Sequence, residues 1–349
     1  MNILADYREN TLRRRPDLRS LFIEMTVRCN EHCRHCGSSC GDFAETDPLS
    51  GAEIVSFLEQ IRRDFPLSRL RLCITGGEPL LRPDFFGIMT QASRLGFQWG
   101  MTTNGTLITP AAAKKLHEAG MRTVSVSVDG LPDSHEWFRR SPGSYEKTLS
   151  GIRALLEEGG FDHVQITSVI HHGNIGELDE MYRRFSRLGV RSWRVINIEP
   201  IGRAKEQPEL LLTPQEYRRL FDFIREKRFS GPMEVCYGCS HFLGTALEHE
   251  LRPWYFLCNA GVYTASITYN GDIVSCLDVE RRPELVQGNI RTDRFRDVWE
   301  NRFALWRTDF RKTGPCRDCD CWRWCAGDSF HTWDLDNMRP GLCLKGILF

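Results

Sequence analysis

From about residue 21 to residue 197, short apolar runs alternate with segments of helical period, and no other feature limits the available folds so strongly. Runs rich in Val, Ile, Leu, Thr or aromatics read as strands at 21–27, 69–75, 97–103, 123–128, 163–170 and 191–197. Helices are expected near 50–63, 83–95, 110–119, 145–157 and 175–188, with a sixth at 213–226. Ser50 with Glu53 forms a capping box for the first, and Thr109-Pro110 opens the third. Repeated βα units require a parallel sheet, and six fall short of the eight that close a full barrel. We therefore expect an α/β fold, a laterally open partial (β/α)6 barrel, in preference to a doubly wound sheet. Past residue 230 the chain turns to short turns, glycines, aromatics and cysteines. The expected organisation is a lead-in at 1–20, a barrel at 21–230 and a small Cys-rich auxiliary domain at 231–349.

Charge narrows the partners. Lys plus Arg and Asp plus Glu number 46 each, so no global field attracts nucleic acid or an acidic membrane face. The uncharged stretch 253–271, unsurpassed in length in the chain, is broken by Asn259, Thr264, Ser266, Thr268 and Asn270, and the N-terminus carries charges without an apolar signal core. Neither a nucleic acid nor a membrane partner is expected, and the expected location is cytoplasmic. In that compartment fourteen cysteines stay reduced and free to hold metal.

Strand one is followed by Cys29, Cys33 and Cys36, a C-x3-C-x2-C loop at the end of a barrel strand, where barrel active sites lie. Three thiolates hold three irons of a four-iron, four-sulfur cluster and leave the fourth iron open for chemistry. Alone, the triplet also fits a structural zinc loop with His32, His35 or Cys40 as fourth ligand. Strand two ends in Gly76-Gly77-Glu78-Pro79. The glycines let main chain approach a ligand, and carbonyls or a carboxylate satisfy an amine. Alone, the tetrad also fits an ordinary βα turn in which Pro79 starts a helix.

Taken together, the triplet and the tetrad resemble the radical S-adenosylmethionine (SAM) enzymes. The resemblance implies that Gly76, Gly77, Glu78 and Pro79 receive the SAM methionyl group. It also implies that Thr103, Asn104, Ser127 and Asp129, at the next two strand ends, supply ribose-side and methionine-side contacts. Arg139 resembles an arginine near the SAM carboxylate. Asn104 and Asp129 fit turn or cap roles equally well, and the Glu199-Pro200-Ile201-Gly202-Arg203 run fits a solvated loop as well as the family.

The C-terminal cysteines resemble the SPASM extension, which holds auxiliary iron-sulfur clusters. Cys258, an Asn270-Gly271 turn and Cys276 match its first half; Cys316, Cys319, Cys325 and Cys343 match its second and imply one complete auxiliary cluster. Ser329 stands where the family has a further cysteine. A second auxiliary cluster on Cys258 and Cys276 then needs partners from Cys239, Cys236 or Cys321. Zinc ribbons are the alternative for this region. Cys40 and Cys73 are expected to be non-ligands, Cys73 as a small core residue within strand two.

The implied cofactors are SAM, one SAM-binding 4Fe-4S cluster and one or two auxiliary clusters. The implied reaction is reductive cleavage of SAM to a 5'-deoxyadenosyl radical that takes hydrogen from a peptide or protein substrate. The outcome is crosslinking, thioether formation, epimerisation or oxidation, the work of a peptide maturase. An electron donor such as flavodoxin or ferredoxin is the expected partner. So is a separate leader-peptide-binding protein, since some 20 residues precede strand one. The alternatives are modification of a tetrapyrrole or other small metabolite and, from another class, a non-catalytic electron carrier or redox sensor. The Gly-Gly-Glu-Pro turn speaks against the carrier. The sulfatase-maturing branch has an acid directly after the hairpin cysteine; here Leu277 stands there and Asp278 follows. Alternation turns Asp278 the other way, so it reads as a surface turn acid at least as readily as a catalytic base, and the catalytic residue stays unassigned.

Overall fold

A computed structural model describes residues 2–349. Strands β1 (Ser20–Glu24), β2 (Arg71–Thr75), β3 (Gln98–Thr103), β4 (Met121–Ser127), β5 (His163–Ile170), β6 (Ser192–Asn197) and β7 (Glu234–Tyr237) pair in parallel and in chain order. An order without reversal is that of a barrel wall and excludes the doubly wound arrangement. All six expected strands are present. The seventh escapes sequence reading because four residues, Glu-Val-Cys-Tyr, are too few to show a period.

The sheet grows at its other edge too. β8 (Thr264–Ile267) pairs in parallel with β1, turns at Gly271 with φ +93°, and returns antiparallel as β9 (Asp272–Val274). β10 (Gly288–Asn289) completes ten strands. The cysteine-rich half of the chain is thereby stitched to the barrel's first strand.

Short α1 (Asn2–Tyr7) precedes the barrel; α2 (Gly51–Asp64), α3 (Phe85–Arg94), α4 (Pro110–Glu118), α5 (Pro132–Arg139), α6 (Ser144–Glu158), α7 (Leu178–Leu188) and α8 (Pro214–Lys227) follow the successive strands. Ser50 and Glu53 form the expected capping box, and Thr213 with Glu216 forms another on α8. Large apolar residues on one strand face, among them Leu72, Ile74, Trp99, Met101, Val124 and Val126, pack on Phe57, Ile88, Leu116 and Ile152 of the helices. The opposite face carries small or polar residues such as Thr75, Gly100, Thr123 and Ser125. Cys73 lies on this second face, not among the core residues; alternation within β2 gives the core face to Leu72 and Ile74.

Candidate active site

All parallel strands end at one rim, and the loop after β1 carries Cys29, Cys33 and Cys36. Two arginines clamp it. Arg203, beyond β6, donates from Nε to the Cys33 carbonyl (2.7 Å) and from Nη1 to the Cys40 carbonyl (3.1 Å), while its own amide donates to the Cys36 carbonyl. Gly202 has φ +49°, and a Cβ there would stand 2.2 Å from the Cys36 carbonyl oxygen. The Gly202-Arg203 end of this run therefore holds the loop, and all five of its residues are only partly exposed.

Arg139, at the end of α5, is 5% exposed and bridges Glu31 of the cysteine loop (2.6 Å) to Asp129 beyond β4 (2.7 Å). Burial pushes the Asp129 carboxyl up, but Arg139 outweighs it and holds the group below its ordinary value. The His32 and Arg34 amides donate to the Arg139 and Phe138 carbonyls, and the Phe138 ring stacks between His35 (4.4 Å) and His171 (4.1 Å). The guanidinium expected beside a SAM carboxylate is thus engaged by two protein carboxylates.

The tetrad sits directly against this loop. Gly77 N–H donates to the Thr26 carbonyl (2.8 Å) and Glu78 N–H to that of Arg28 (2.9 Å). A Cβ on Gly77 would lie 2.2 Å from the Arg28 oxygen, so the glycine is required by the neighbouring chain as well as by any ligand. Glu78 is fully buried and accepts from the Thr103 hydroxyl and the Asn104 amide, each at 2.9 Å. Burial raises its carboxyl to about 7 against the pull of those donors. Pro79 starts a single 3-10 turn, so the βα-turn reading of the tetrad also holds. Asn104 Nδ2 donates to Asn30 Oδ1 (2.8 Å), tying the third strand end to the loop. Ser127 ends β4 in register with Thr167 and is half-buried.

The donor set fits an iron-sulfur cluster. A hydrogen bond from the Cys40 thiol draws Cys36 down to about 6, whereas burial pushes Cys29 up to about 11 and Cys33 higher still. Metal binding at the last two displaces protons. Two buried polar atoms beside the thiols, Glu31 Oε1 and His35 Nδ1, have no partner among the described residues, as expected of a loop that receives a further polar ligand.

In the auxiliary region burial raises the Cys316 thiol to about 11, with the charges of Cys343 and Cys319 adding to it. It likewise raises Cys325, where Asp328, Cys343 and Cys316 add to it. The structure thus brings Cys316, Cys319, Cys325 and Cys343 into one neighbourhood. Cys321 joins this group: its sulfur, that of Cys319 and an Asp320 oxygen lie within 4.8 Å of one another. Cys276 neighbours Cys258, whose sulfur accepts from the Phe330 amide at 3.4 Å. Cys236 lies in β7 opposite Arg194, and Cys239 points its thiol at the Asn197 carbonyl (3.8 Å).

The β8–β9 hairpin delivers Asp278 to the rim. Its Oδ1 is 4.0 Å from where a Cβ would stand on Gly37 of the cysteine loop, so it faces the site. The chain leaves strand geometry after Val274, and alternation no longer sets the direction.

Sequence reading also misses a buried chain of acids and imidazoles. His241 lies between Asp328 (2.9 Å) and Glu199 (2.6 Å), and Glu199 reaches on to His331 (2.7 Å). His241 and Asp328 are 87 residues apart, and only Glu199 falls in a motif that the sequence marks.

Residues 23–185 match the Radical SAM superfamily, and residues 258–320 match SPASM, an iron-sulfur cluster-binding domain. The AdoMet-dependent heme synthase of Methanosarcina barkeri is 28% identical over 321 residues, covering 87% of this chain and 89% of that protein. Mycofactocin maturase MftC of Mycobacterium tuberculosis is 29% identical over 311 residues, 87% of this chain and 76% of its own. Among solved structures, native anSMEcpe with bound AdoMet superposes with a TM-score of 0.71 at 20% identity over 90% of each chain. Streptococcus suis SuiB bound to S-adenosylmethionine gives 0.71 at 17% over 90% of this chain and 74% of its own. The solved structures share the fold. With both family matches in the order in which the motifs occur, the chain is a radical SAM enzyme with a C-terminal SPASM domain, and its cofactors are S-adenosylmethionine and 4Fe-4S clusters.

Proposed function

We propose that this enzyme acts on a tetrapyrrole bearing carboxylate side chains. The observation that carries the reading is a pair of adjoining cavities, one of about 490 Å³ along the hairpin and the segment after it and one of about 310 Å³ between that segment and residues 37–39 of the cysteine loop, sharing Phe43, Val279, Glu280 and Arg281 as walls. Their combined size suits a large ligand. Aromatic walls (Phe43, Tyr269, Trp333) suit a flat ring system, and the smaller cavity also presents a histidine, His331, toward its carboxylates. The heme synthase relative supports the same substrate class, better than the peptide class expected from sequence.

In this reading Cys29, Cys33 and Cys36 hold the SAM-binding cluster, and Gly76 to Pro79, Thr103, Asn104, Ser127 and Asp129 line the SAM site. Arg139 and Arg203 act as positioning residues that keep the loop against the strand ends. Cys316, Cys319, Cys325 and Cys343 hold one auxiliary cluster, and Cys258 and Cys276 belong to a second. When bound, SAM and its cluster supply the 5'-deoxyadenosyl radical, and the Arg139 bridges to Glu31 and Asp129 hold the loop against the strand ends. A flavodoxin or ferredoxin supplies the electron.

The test is anaerobic turnover with dithionite, SAM and a propionate-bearing iron porphyrin. Formation of 5'-deoxyadenosine above the substrate-free rate, with a change in porphyrin mass, is expected. An iron-loaded enzyme indifferent to the porphyrin overturns the reading. Its rival is peptide modification, supported by the mycofactocin maturase relative; a short peptide gene beside this one, whose product stimulates SAM cleavage, would favour it.

A further inference from the structure

The smaller cavity has one wall that the cluster chemistry does not use. His331, with a side chain 12% exposed, lines it together with Ser38, Lys205, Asp278 and Arg281. Its Nε2 is taken by Glu199 Oε2 at 2.7 Å, and Nδ1 has no partner among the described residues. Behind Glu199 stand His241 and Asp328, and the Asp328 carboxylate also accepts the Phe242 amide at 2.9 Å. The Glu199 and His241 contacts fix the plane of the His331 ring and the nitrogen it presents. Burial disfavours charge on His331, but Glu199 outweighs it, and the imidazolium persists to about 9.

The other cations on this wall are paired. Lys205 pairs with Glu280 (3.3 Å), which also pairs with Arg282 (2.9 Å), and Arg281 pairs with Glu24. Asp278 faces the cysteine loop, and its charge adds to that of Glu199 in favouring the His331 imidazolium. His331 is therefore the cation with a free, oriented donor.

We propose that Nδ1 of His331 is the donor that seats a carboxylate of the substrate in this chamber, held in place by the Glu199–His241–Asp328 chain. The inference rests on the tetrapyrrole reading and adds to it the residue that chooses which side chain faces the radical source. His331 is a specificity-determining residue; Glu199 is a positioning one.

The test is a Soret difference titration of the anaerobically reconstituted holoenzyme in dilute non-ionic detergent. Hemin, with two free propionates, is compared with hemin dimethyl ester, on wild type and on His331→Gln. A charged hydrogen bond gives wild type about tenfold preference for hemin, and the variant should lose that preference while binding the ester unchanged. The wild-type comparison stands even if the variant fails to fold. Equal wild-type affinity for hemin and ester overturns the carboxylate seat. A preference that survives His331→Gln overturns the role of His331 and leaves the tetrapyrrole reading intact. Binding of neither compound overturns that reading, and this inference with it.

Discussion

At the scale of single residues the site depends on groups that nothing else can replace. A methyl at Gly77 would be driven into the Arg28 carbonyl, and backbone on both sides cannot yield cheaply. Gly77→Ala is expected to cost about 1–3 kcal/mol and to lower the iron retained by the cysteine loop, read by urea unfolding and iron assay. Arg139→Ala strands Glu31 and Asp129 as buried, unpaired carboxylates. It should destabilise by about 3–5 kcal/mol, and a loss under 1 kcal/mol would show the bridge to be incidental. The Glu199–His331 pair gives a pH signature. The folded value of His331 lies above its ordinary 6.5, so its contribution is complete below about 6.5 and is lost as pH rises to about 9. Glu199 is buried, but His331 and His241 overcome that and depress it; its contribution is lost only on strong acidification. The urea midpoint of wild type should therefore fall between pH 6.5 and 9 more steeply than that of His331→Gln; parallel profiles would contradict the pairing. The cysteines, glycines and Glu78 were legible in sequence because their motifs are local. Glu31 and His331 were not, because their partners come from distant segments.

At the scale of elements, the strands that sequence revealed are those whose core faces are continuous and apolar. β7 is short, α5 is short, and α9 (Gly244–Leu251) follows a turn-rich stretch, so each lacked a readable period. The omission of α5 matters most, since it carries Phe138 and Arg139 to the cysteine loop. The hairpin was legible from Asn270-Gly271, but its docking on β1 is a tertiary pairing that no local pattern encodes. That docking is what brings Asp278 to the rim. The cysteine neighbourhoods give an element-scale prediction. Cys325→Ala should remove about four irons per chain, whereas Cys236→Ser, on a strand opposite Arg194, should leave iron content unchanged. Loss of iron in Cys236→Ser would draw that residue into the second auxiliary cluster.

At the scale of the molecule, one continuous sheet joins the two ends of the chemistry. The N-terminal segment adds a second tie: Arg8 donates to the carbonyls of Arg323 and Trp324 (2.7 and 2.9 Å), in α10 (Trp322–Cys325) of the auxiliary region. The expected lead-in is thus a strap between the barrel's start and the last cysteines. Among the described residues no helix is long and apolar enough to cross a membrane. The barrel class was legible because βα alternation is a property of the whole pattern; the chamber between barrel and hairpin was not, because it exists only once β8 has found β1. The most direct measurement is 5'-deoxyadenosine formed from SAM and dithionite by the anaerobically reconstituted wild type, set beside a Cys29→Ala, Cys33→Ala, Cys36→Ala triple variant. The wild type should form it, and the triple variant should form none while keeping its auxiliary iron. Equal yields from the two proteins, or none from an iron-replete wild type, would contradict the account.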